Sequence, residues 1–286
     1  MIEDLEIKQL PTLPIENCGS TITLNNGTFL LCGGLKGFRK CIQFDHGTWK
    51  NHSTLNRIRD SHSAIVTQSG TFLFGGYSHD VFTREDVYGF DPVIKSHKSY
   101  EYLPNNSNTW LMGKNEIPGG FYSGCAIASK CGWKIWMIGG LENEKRILSF
   151  DVKEHTFQEL PFQLNVERWT HRCAYIPNTK KIMITGGRNN RKEICDSTEI
   201  WDTDDGSVTM ASPMNIKRAG HGMGTVTING EDRLAVFGGN SGVLDWLDSV
   251  ELYNAKTKKW ETTTLKLKES KASFALLEVK LGDIIS

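Results

Sequence analysis

Short apolar runs that each end in two glycines recur along the chain. The glycine doublets are Gly33-Gly34, Gly75-Gly76, Gly139-Gly140, Gly186-Gly187 and Gly238-Gly239. Successive doublets begin 42, 64, 47 and 52 residues apart. Repetition at a period of about 50 residues indicates an array of similar supersecondary units that pack against one another.

Each unit predicts four short strands, which we call a to d in chain order. Strand a is a run of small and apolar residues, such as 62–66, and strand b is the apolar run into the glycines. Strand c alternates apolar and polar residues and ends in an aromatic residue before Asp or Asn, at 42–45, 148–151, 199–202 and 251–254. Strand d opens on a large side chain: Trp49, Trp110, Phe157 and Trp260, with Val208 in the fourth unit. Period-two alternation over such short runs is typical of half-buried β-strands.

These units favour an all-β propeller of four-stranded antiparallel blades. The glycines allow a tight turn at positive φ, and the outer aromatic residue fills the widening gap between twisted blades. The expected complete blades are 19–52, 62–113, 123–160, 171–210 and 221–264, all within one domain of residues 1–286. Segments 4–9 and 272–286 are expected to form an abbreviated sixth blade that closes the ring and hides its edges. The incomplete sixth unit also leaves open that the chain is a fragment of a longer protein.

The second unit offers two candidates for strand c, at 86–91 and at 99–103. Thirteen residues separate Trp49 from His62, and the same spacing leads from Trp110 to Ser123. Trp110 is therefore expected to open strand d, which makes 99–103 the better strand c. Most of 77–98 then becomes an insertion between strands b and c.

Paired glycines, a strand c Tyr and a strand d Trp make the chain resemble the kelch-repeat β-propeller family over almost its whole length. The last unit carries the full set, Gly238, Gly239, Tyr253 and Trp260, whereas the first has Phe44 in place of the Tyr. The resemblance implies a non-catalytic scaffold or adaptor that binds a protein or peptide on the loop face at the channel mouth. The alternative left open is a secreted carbohydrate-binding or enzymatic propeller that uses the same mouth.

Composition and charge narrow the classes of partner. Lys and Arg total 33 against 33 Asp and Glu, and no long basic run is present, so nucleic acid is not expected as a partner. No run approaches about 18 apolar residues, and the first residues are acidic, unlike a secretory signal. We therefore expect no membrane partner and take a cytoplasmic location as the default. A secreted location is the alternative if a signal peptide is missing from this chain, and the oligomeric state stays open.

The seven cysteines are expected to be reduced and buried, since most lie in or beside apolar strand runs. The alternative, in an oxidising compartment, is that Cys32 and Cys41 face each other across a strand pair. Sequons at Asn26, Asn51 and Asn105 leave that secreted alternative open.

An Arg stands three residues before a His just ahead of strand a in three units. The pairs are Arg59 and His62, Arg168 and His171, and Arg218 and His221. Many kelch domains hold an acidic peptide segment with arginines of this loop, so the resemblance implies that Arg59, Arg168 and Arg218 contact such a partner. Guanidinium suits that role because its donors match a carboxylate. The alternative is that each Arg bonds loop carbonyls within the repeat.

Three aromatic residues, Trp169, Phe121 and Tyr122, lie in equivalent loops and are expected to be apolar anchors for the partner. The three histidines belong to the second, fourth and fifth units, which are not all adjacent, so we expect no metal site and no cofactor. The chain also lacks a phosphate-binding glycine loop, a nucleophile elbow and paired-Cys zinc spacing. Catalysis is therefore not expected.

Overall fold

The structure is a computed structural model that describes residues 21–25, 28–34, 39–77, 98–270 and 272–273. These residues form five four-stranded antiparallel sheets, each a simple meander of strands a, b, c and d. The prediction of five four-stranded antiparallel blades is confirmed. Most of the 77–98 insertion and most of the proposed closing blade, 4–9 and 272–286, lie outside the described residues.

The strands of the five blades are as follows. Blade 1 contains β1 (Thr21–Asn25), β2 (Thr28–Cys32), β3 (Lys40–Asp45) and β4 (Thr48–Thr54). Blade 2 contains β5 (Ser63–Thr67), β6 (Gly70–Phe74), β7 (Tyr100–Pro104) and β8 (Leu111–Met112). Blade 3 contains β9 (Cys125–Ala128), β10 (Lys134–Ile138), β11 (Arg146–Asp151) and β12 (Thr156–Gln163). Blade 4 contains β13 (Arg172–Tyr175), β14 (Lys181–Thr185), β15 (Thr198–Asp202) and β16 (Val208–Ala211), and blade 5 contains β17 (Gly222–Ile228), β18 (Glu231–Phe237), β19 (Ser249–Asn254) and β20 (Lys259–Lys266).

The inner strands β1, β5, β9, β13 and β17 lie side by side in that order, as the inner strands around a propeller channel do. Hydrophobic clusters fill the spaces between blades. The cluster between blades 2 and 3, for example, contains Phe72 and Phe74 from β6 and Met137 and Phe150 from β10 and β11. The core is therefore a set of blade-to-blade contacts, and each sheet buries its apolar surface only against its neighbours.

Strand c of blade 2 lies where the spacing placed it, since β7 spans Tyr100–Pro104. The start of strand d is one residue later than expected, because Tyr102 pairs with Leu111 whereas Phe44 pairs with Trp49. Trp110 precedes the strand and is buried beside Leu103. The thirteen-residue spacing from Trp110 therefore predicts the start of the next strand a one residue too early.

Four cysteines form disulfides, which corrects the expectation that the thiols are reduced. Cys32 and Cys41 face each other on β2 and β3, which is the pairing that the alternative of an oxidising compartment predicts. Cys125 on β9 and Cys173 on β13 link the inner strands of blades 3 and 4. Cys131 and Cys195 are free thiols. None of the described elements is an apolar helix of membrane-spanning length.

Candidate binding face

One end of the propeller carries the Arg-to-His loops and the glycine doublets, and we call it the Gly-Gly face. Its described d-to-a loops are 55–62, 113–124, 164–171 and 212–221, and its described b-to-c loops are 139–145, 186–197 and 238–248. These loops meet at one end because strand a starts where strand b stops in an antiparallel meander. The predicted site residues all lie in these loops.

Arg59 is fully buried, and its guanidinium donates to its own blade. Nε donates to Glu101 Oε1 at 2.9 Å, and Nη1 donates to the carbonyls of Gly75 and Ser99 at 2.6 and 2.9 Å. Nη2 donates to Ser99 Oγ at 2.9 Å. The side chains of Arg59 and Glu101 are both 0% exposed. A buried charge is tolerated only when it is paired and hydrogen-bonded in this way.

Blades 4 and 5 repeat this arrangement. Arg168 pairs with Glu199 at 3.0 Å, and Arg218 pairs with Glu251 at 3.0 Å, with all four side chains 0% exposed. Each guanidinium also donates to the carbonyl of the first glycine of its own blade's doublet, Gly186 or Gly238. The contacts thus attach the loop before strand a to the end of strand b.

An asparagine three residues before each Arg completes the network. The backbone and side-chain nitrogens of Asn56 both donate to Glu101 Oε2, at 2.6 and 2.9 Å. Its side chain also donates to the carbonyl of Trp110, beside strand d. Asn165 and Asn215 make the same contacts with the corresponding glutamates. The d-to-a loop is therefore held to three strands of one blade.

These positions correct the expectation that Arg59, Arg168 and Arg218 present their guanidinium groups to a partner. Their guanidinium N–H groups donate within the blades, in agreement with the alternative that each Arg bonds groups of its own repeat. A sequence signal for this role exists, because Ser-x-Glu occurs on strand c in the same three units, ending at Glu101, Glu199 and Glu251. The glutamates are the residues that the sequence reasoning missed.

The three histidines are buried between blades. The imidazole edges of His62, His171 and His221 lie against the first glycine of the preceding blade's doublet. His221 Nε2 and Thr185 Oγ1 are 2.8 Å apart, which joins blade 5 to blade 4. Burial, reinforced by nearby arginines, lowers the pKa of His62 and His171 to about 3. Within the described ranges no group of three or more His, Cys, Asp or Glu is placed to hold a metal ion.

Replacing His171 with Gln is expected to make the fold less sensitive to acid. The ordinary pKa of 6.5 applies to the unfolded chain, whereas the folded pKa is about 3. The unfolded state therefore binds a proton that the folded state excludes, and stability falls by up to about 1.4 kcal/mol per pH unit as the pH drops below the unfolded pKa. Urea unfolding at pH 7 and at pH 5 should show a smaller loss for the variant than for the native chain. The exposed His46→Gln control should keep the native loss, and an unchanged loss in His171→Gln would contradict a buried neutral imidazole.

The glycine doublets are blade-to-blade contacts. The N–H of the second glycine donates to the next blade's loop, from Gly34 to the Arg59 carbonyl and from Gly140 to the Arg168 carbonyl, both at 2.8 Å. Gly76 donates in the same way to the Phe121 carbonyl at 2.7 Å. Phe121 therefore occupies the position of the arginines in blade 3, one residue later than the spacing from Trp110 had placed it.

A chain of backbone hydrogen bonds runs between neighbouring blades at the channel mouth. Each N–H donates to the equivalent carbonyl of the preceding blade: Ser123 to Ser61, Thr170 to Ser123, Gly220 to Thr170 and Ser273 to Gly220. All five residues have φ between +52° and +59°, a left-handed conformation that non-glycine residues seldom adopt. These backbone N–H and carbonyl groups therefore form hydrogen bonds between neighbouring blades.

The three predicted aromatic anchors differ in accessibility. Phe121 is 1% exposed and belongs to the core between blades 2 and 3, so it presents no surface to a partner. Trp169 is 7% exposed, and the Arg188 guanidinium lies 5.9 Å from its ring centroid. Tyr122 is half-buried against Tyr77, and burial together with the nearby Asp60 charge raises the pKa of Tyr122 to about 12. Trp169 and Tyr122 stay candidates at the channel mouth.

The most exposed apolar residues in the described parts of the chain lie in loop 238–248 of blade 5. Val243 is 92%, Leu244 90% and Trp246 60% exposed. The loop is hydrogen-bonded, because Ser241 N–H donates to the Asp245 carbonyl and Leu247 N–H donates to the Gly239 carbonyl. An isolated exposed apolar residue is ordinary, whereas three lie together on this hydrogen-bonded loop, which makes the loop a candidate contact surface.

One curated protein is similar to this chain over most of the chain's length. A kelch repeat-containing protein of Dictyostelium discoideum is 26% identical over an alignment of 280 residues that covers 91% of this chain. This chain is similar to that kelch repeat-containing protein, and its described residues form the five blades of a β-propeller. It spans 40% of the length of that relative. No family model matches the chain.

The solved structure of YjhT is similar to this chain in fold. The TM-score is 0.76, and the match covers 93% of this chain and 88% of that chain. The sequences are 14% identical, so this likeness concerns the fold alone. The apolar side chains of loop 238–248 are exposed on the Gly-Gly face, whereas the paired arginines and the histidines are buried.

Proposed function

We propose that this kelch propeller is a non-catalytic module that binds a protein partner on its Gly-Gly face. Protein binding is typical of kelch-repeat propellers. The observation that carries the proposal is the exposure of Val243, Leu244 and Trp246 on a hydrogen-bonded loop. Tryptophan is enriched among the residues that provide most of the binding energy of an interface, and the two aliphatic side chains beside it add apolar surface that a partner can bury.

The loop favours a protein partner over a lipid surface. The charged residues within 238–248 are Asp245 and Asp248, and acidic residues beside an apolar tip are repelled by anionic lipid headgroups. The Asp245 carboxylate accepts a hydrogen bond from Ser241 Oγ, and Asp248 pairs with Lys266. These contacts also keep the tip in place, which lowers the entropy lost when it enters a pocket.

An acidic segment in the partner belongs to the same proposal. Loop 186–197 of blade 4 carries the exposed basic residues Arg191 and Lys192, and Arg188 of the same loop covers Trp169. Basic side chains at the rim of an interface attract acidic partners and speed association. We propose that the acidic segment of the partner lies over this loop, beside Trp169 and Tyr122, and that it does not contact the buried arginines.

We also keep the proposal that a sixth blade closes the ring. Two features of the described residues support it. The inter-blade backbone hydrogen bonds continue to Ser273, whose N–H donates to the Gly220 carbonyl, and the cluster of Ala235, Val250 and Leu252 is buried on blade 5. Closure would fix the Gly-Gly face as a continuous surface.

Affinity capture from source extract tests the proposed function. The bait is the native chain, a Val243→Ser/Leu244→Ser variant, or a matched Met112→Ser/Met210→Ser variant. The two methionines are exposed on the outer strands β8 and β16 of blades 2 and 4, outside loop 238–248. We expect a partner that the loop variant loses and the methionine variant retains, with unfolding free energies of all three baits within about 0.5 kcal/mol. The same partner list for all three baits would contradict the proposal.

A further inference from the structure

The first residues of four inner strands occupy equivalent positions along the channel. Ser63, Cys125, Arg172 and Gly222 begin β5, β9, β13 and β17. Each pairs with the residue just before its blade's glycine doublet, so all four lie at the same depth below the Gly-Gly face. Three of the four side chains are small, and the fourth is a guanidinium.

Two of these residues bond to the next blade. Ser63 Oγ donates to the Gly124 carbonyl at 3.1 Å, which joins blades 2 and 3. Cys125 forms the disulfide with Cys173, which joins blades 3 and 4. Blades 4 and 5 lack such a bond from Arg172, whose side chain donates to the carbonyl of its own neighbour His171 at 3.0 Å. Among the described residues no carboxylate pairs with Arg172.

Arg168 and Arg218 also lie near the histidines beside Arg172, but each is paired with a buried glutamate, so Arg172 is the cation without a carboxylate among these described arginines. Burial lowers the pKa of Arg172, although the side chain keeps some contact with solvent. Its titratable neighbours His171 and His221 are neutral at pH 7, because burial and the nearby arginines hold the pKa of His171 at about 3 and that of His221 well below its ordinary value. Taking a guanidinium out of bulk water without a partner is costly. Gly222, at the equivalent position on blade 5, has no side chain that could pair with Arg172.

We propose that Arg172 forms an anion site in the channel between blades 4 and 5, and that its ligand is a single carboxylate group. A carboxylate matches the planar guanidinium fork with two parallel hydrogen bonds. It also balances the single charge, whereas a phosphate dianion would need a second cation. The bound carboxylate would link blades 4 and 5, as Ser63 links blades 2 and 3 and the disulfide of Cys125 links blades 3 and 4. This inference does not depend on the apolar loop or on its partner.

The test follows the arginine side-chain N–H signals in NMR spectra of ¹⁵N-labelled full-length chain. One arm titrates sodium acetate at constant ionic strength, and a second titrates a blocked glutamyl tripeptide beside its glutaminyl counterpart. We expect one arginine signal, absent from the Arg172→Gln spectrum, to shift saturably with acetate or with the glutamyl peptide. Acetate alone would identify a free small anion as the ligand, and the peptide would identify an acidic side chain.

Two variants keep the test decisive. Arg172→Gln should lose the saturable shift and unfold at no lower urea concentration than the native chain, because it removes an unpaired desolvated charge. Arg57→Gln, which alters an exposed arginine on the Gly-Gly face, should retain the shift. If Arg172→Gln does not fold, Arg172→Lys replaces it and should bind the carboxylate more weakly, since the fork is lost. The site is refuted if no arginine signal saturates or if saturation persists unchanged in the Arg172 variant.

Discussion

Replacing Glu199 with Gln is expected to lower the free energy of unfolding by about 3–5 kcal/mol, the loss typical of breaking a buried ion pair. The reason is that Arg168 would keep its charge at 0% exposure without a carboxylate. Glu199 also accepts hydrogen bonds from the backbone N–H groups of Asn165 and Val166, which would face a weaker acceptor. Urea unfolding followed by tryptophan fluorescence measures the loss.

The matched control is Glu159→Gln, the same substitution in an exposed pair. Glu159 lies 2.5 Å from Arg146, and the two side chains are 51% and 31% exposed. Solvent screens such a pair, so the expected loss is about 0–1 kcal/mol. Equal losses in the two variants would show that the buried networks do not stabilise the blades, and the structural role of the repeated arginines would be refuted.

Replacing Gly75 with Ala is expected to destabilise the fold by about 2–5 kcal/mol, as left-handed strain of about 1–2 kcal/mol adds to overpacking of about 1–3 kcal/mol. Gly75 has φ of +65°, and a Cβ there would overlap the carbonyl oxygen of Phe121 in the next blade. That carbonyl accepts the Gly76 N–H, so neither blade can shift without losing the contact. Thermal and urea unfolding would both record the loss.

Gly47→Ala separates the two causes. Gly47 has φ of +81° in the turn between β3 and β4, and a Cβ there would meet no atom within 4 Å. The expected loss is therefore the left-handed strain alone, about 1–2 kcal/mol. If Gly75→Ala cost no more than Gly47→Ala, the doublet would be a flexible turn rather than a contact between blades.

The strands could be predicted from sequence because their signals are local. Alternation with period two and the spacing between aromatic residues chose 99–103 over 86–91, and β7 at Tyr100–Pro104 agrees within one residue. The same spacing failed by one residue at Trp110, which lies just before β8 and is buried in the same cluster as Leu103. The register of strands decides which loop residue faces a partner, so a one-residue shift matters for a site prediction.

The buried partners were harder to predict because they are distant in sequence. Arg59, Arg168 and Arg218 pair with glutamates 42, 31 and 33 residues later. An Arg in a surface loop ordinarily points to solvent, and only the coincidence of Ser-x-Glu in the same units indicates otherwise. Cys125 and Cys173 are likewise 48 residues apart, and their pairing depends on the register between two blades.

The apolar residues of loop 238–248 could have been recognised from the sequence, but the sequence reasoning followed the repeated positions. Val243, Leu244 and Trp246 lie outside the repeated positions, between a glycine doublet and strand c. Repeats describe what holds the blades together, so departures from the repeat are where a partner-specific surface is expected.

We propose that the repeated Arg, Glu and His residues hold the blades together, whereas a partner contacts loop 238–248. Hydrogen exchange of the propeller, measured by mass spectrometry with and without the captured partner, distinguishes these two roles. We predict slower exchange in 238–248 and in the neighbouring loop 186–197 when the partner is bound. Loops 203–207 and 255–258, at the opposite end of blades 4 and 5, should exchange at the same rate in both samples. Protection confined to 203–207 and 255–258 would contradict the claim.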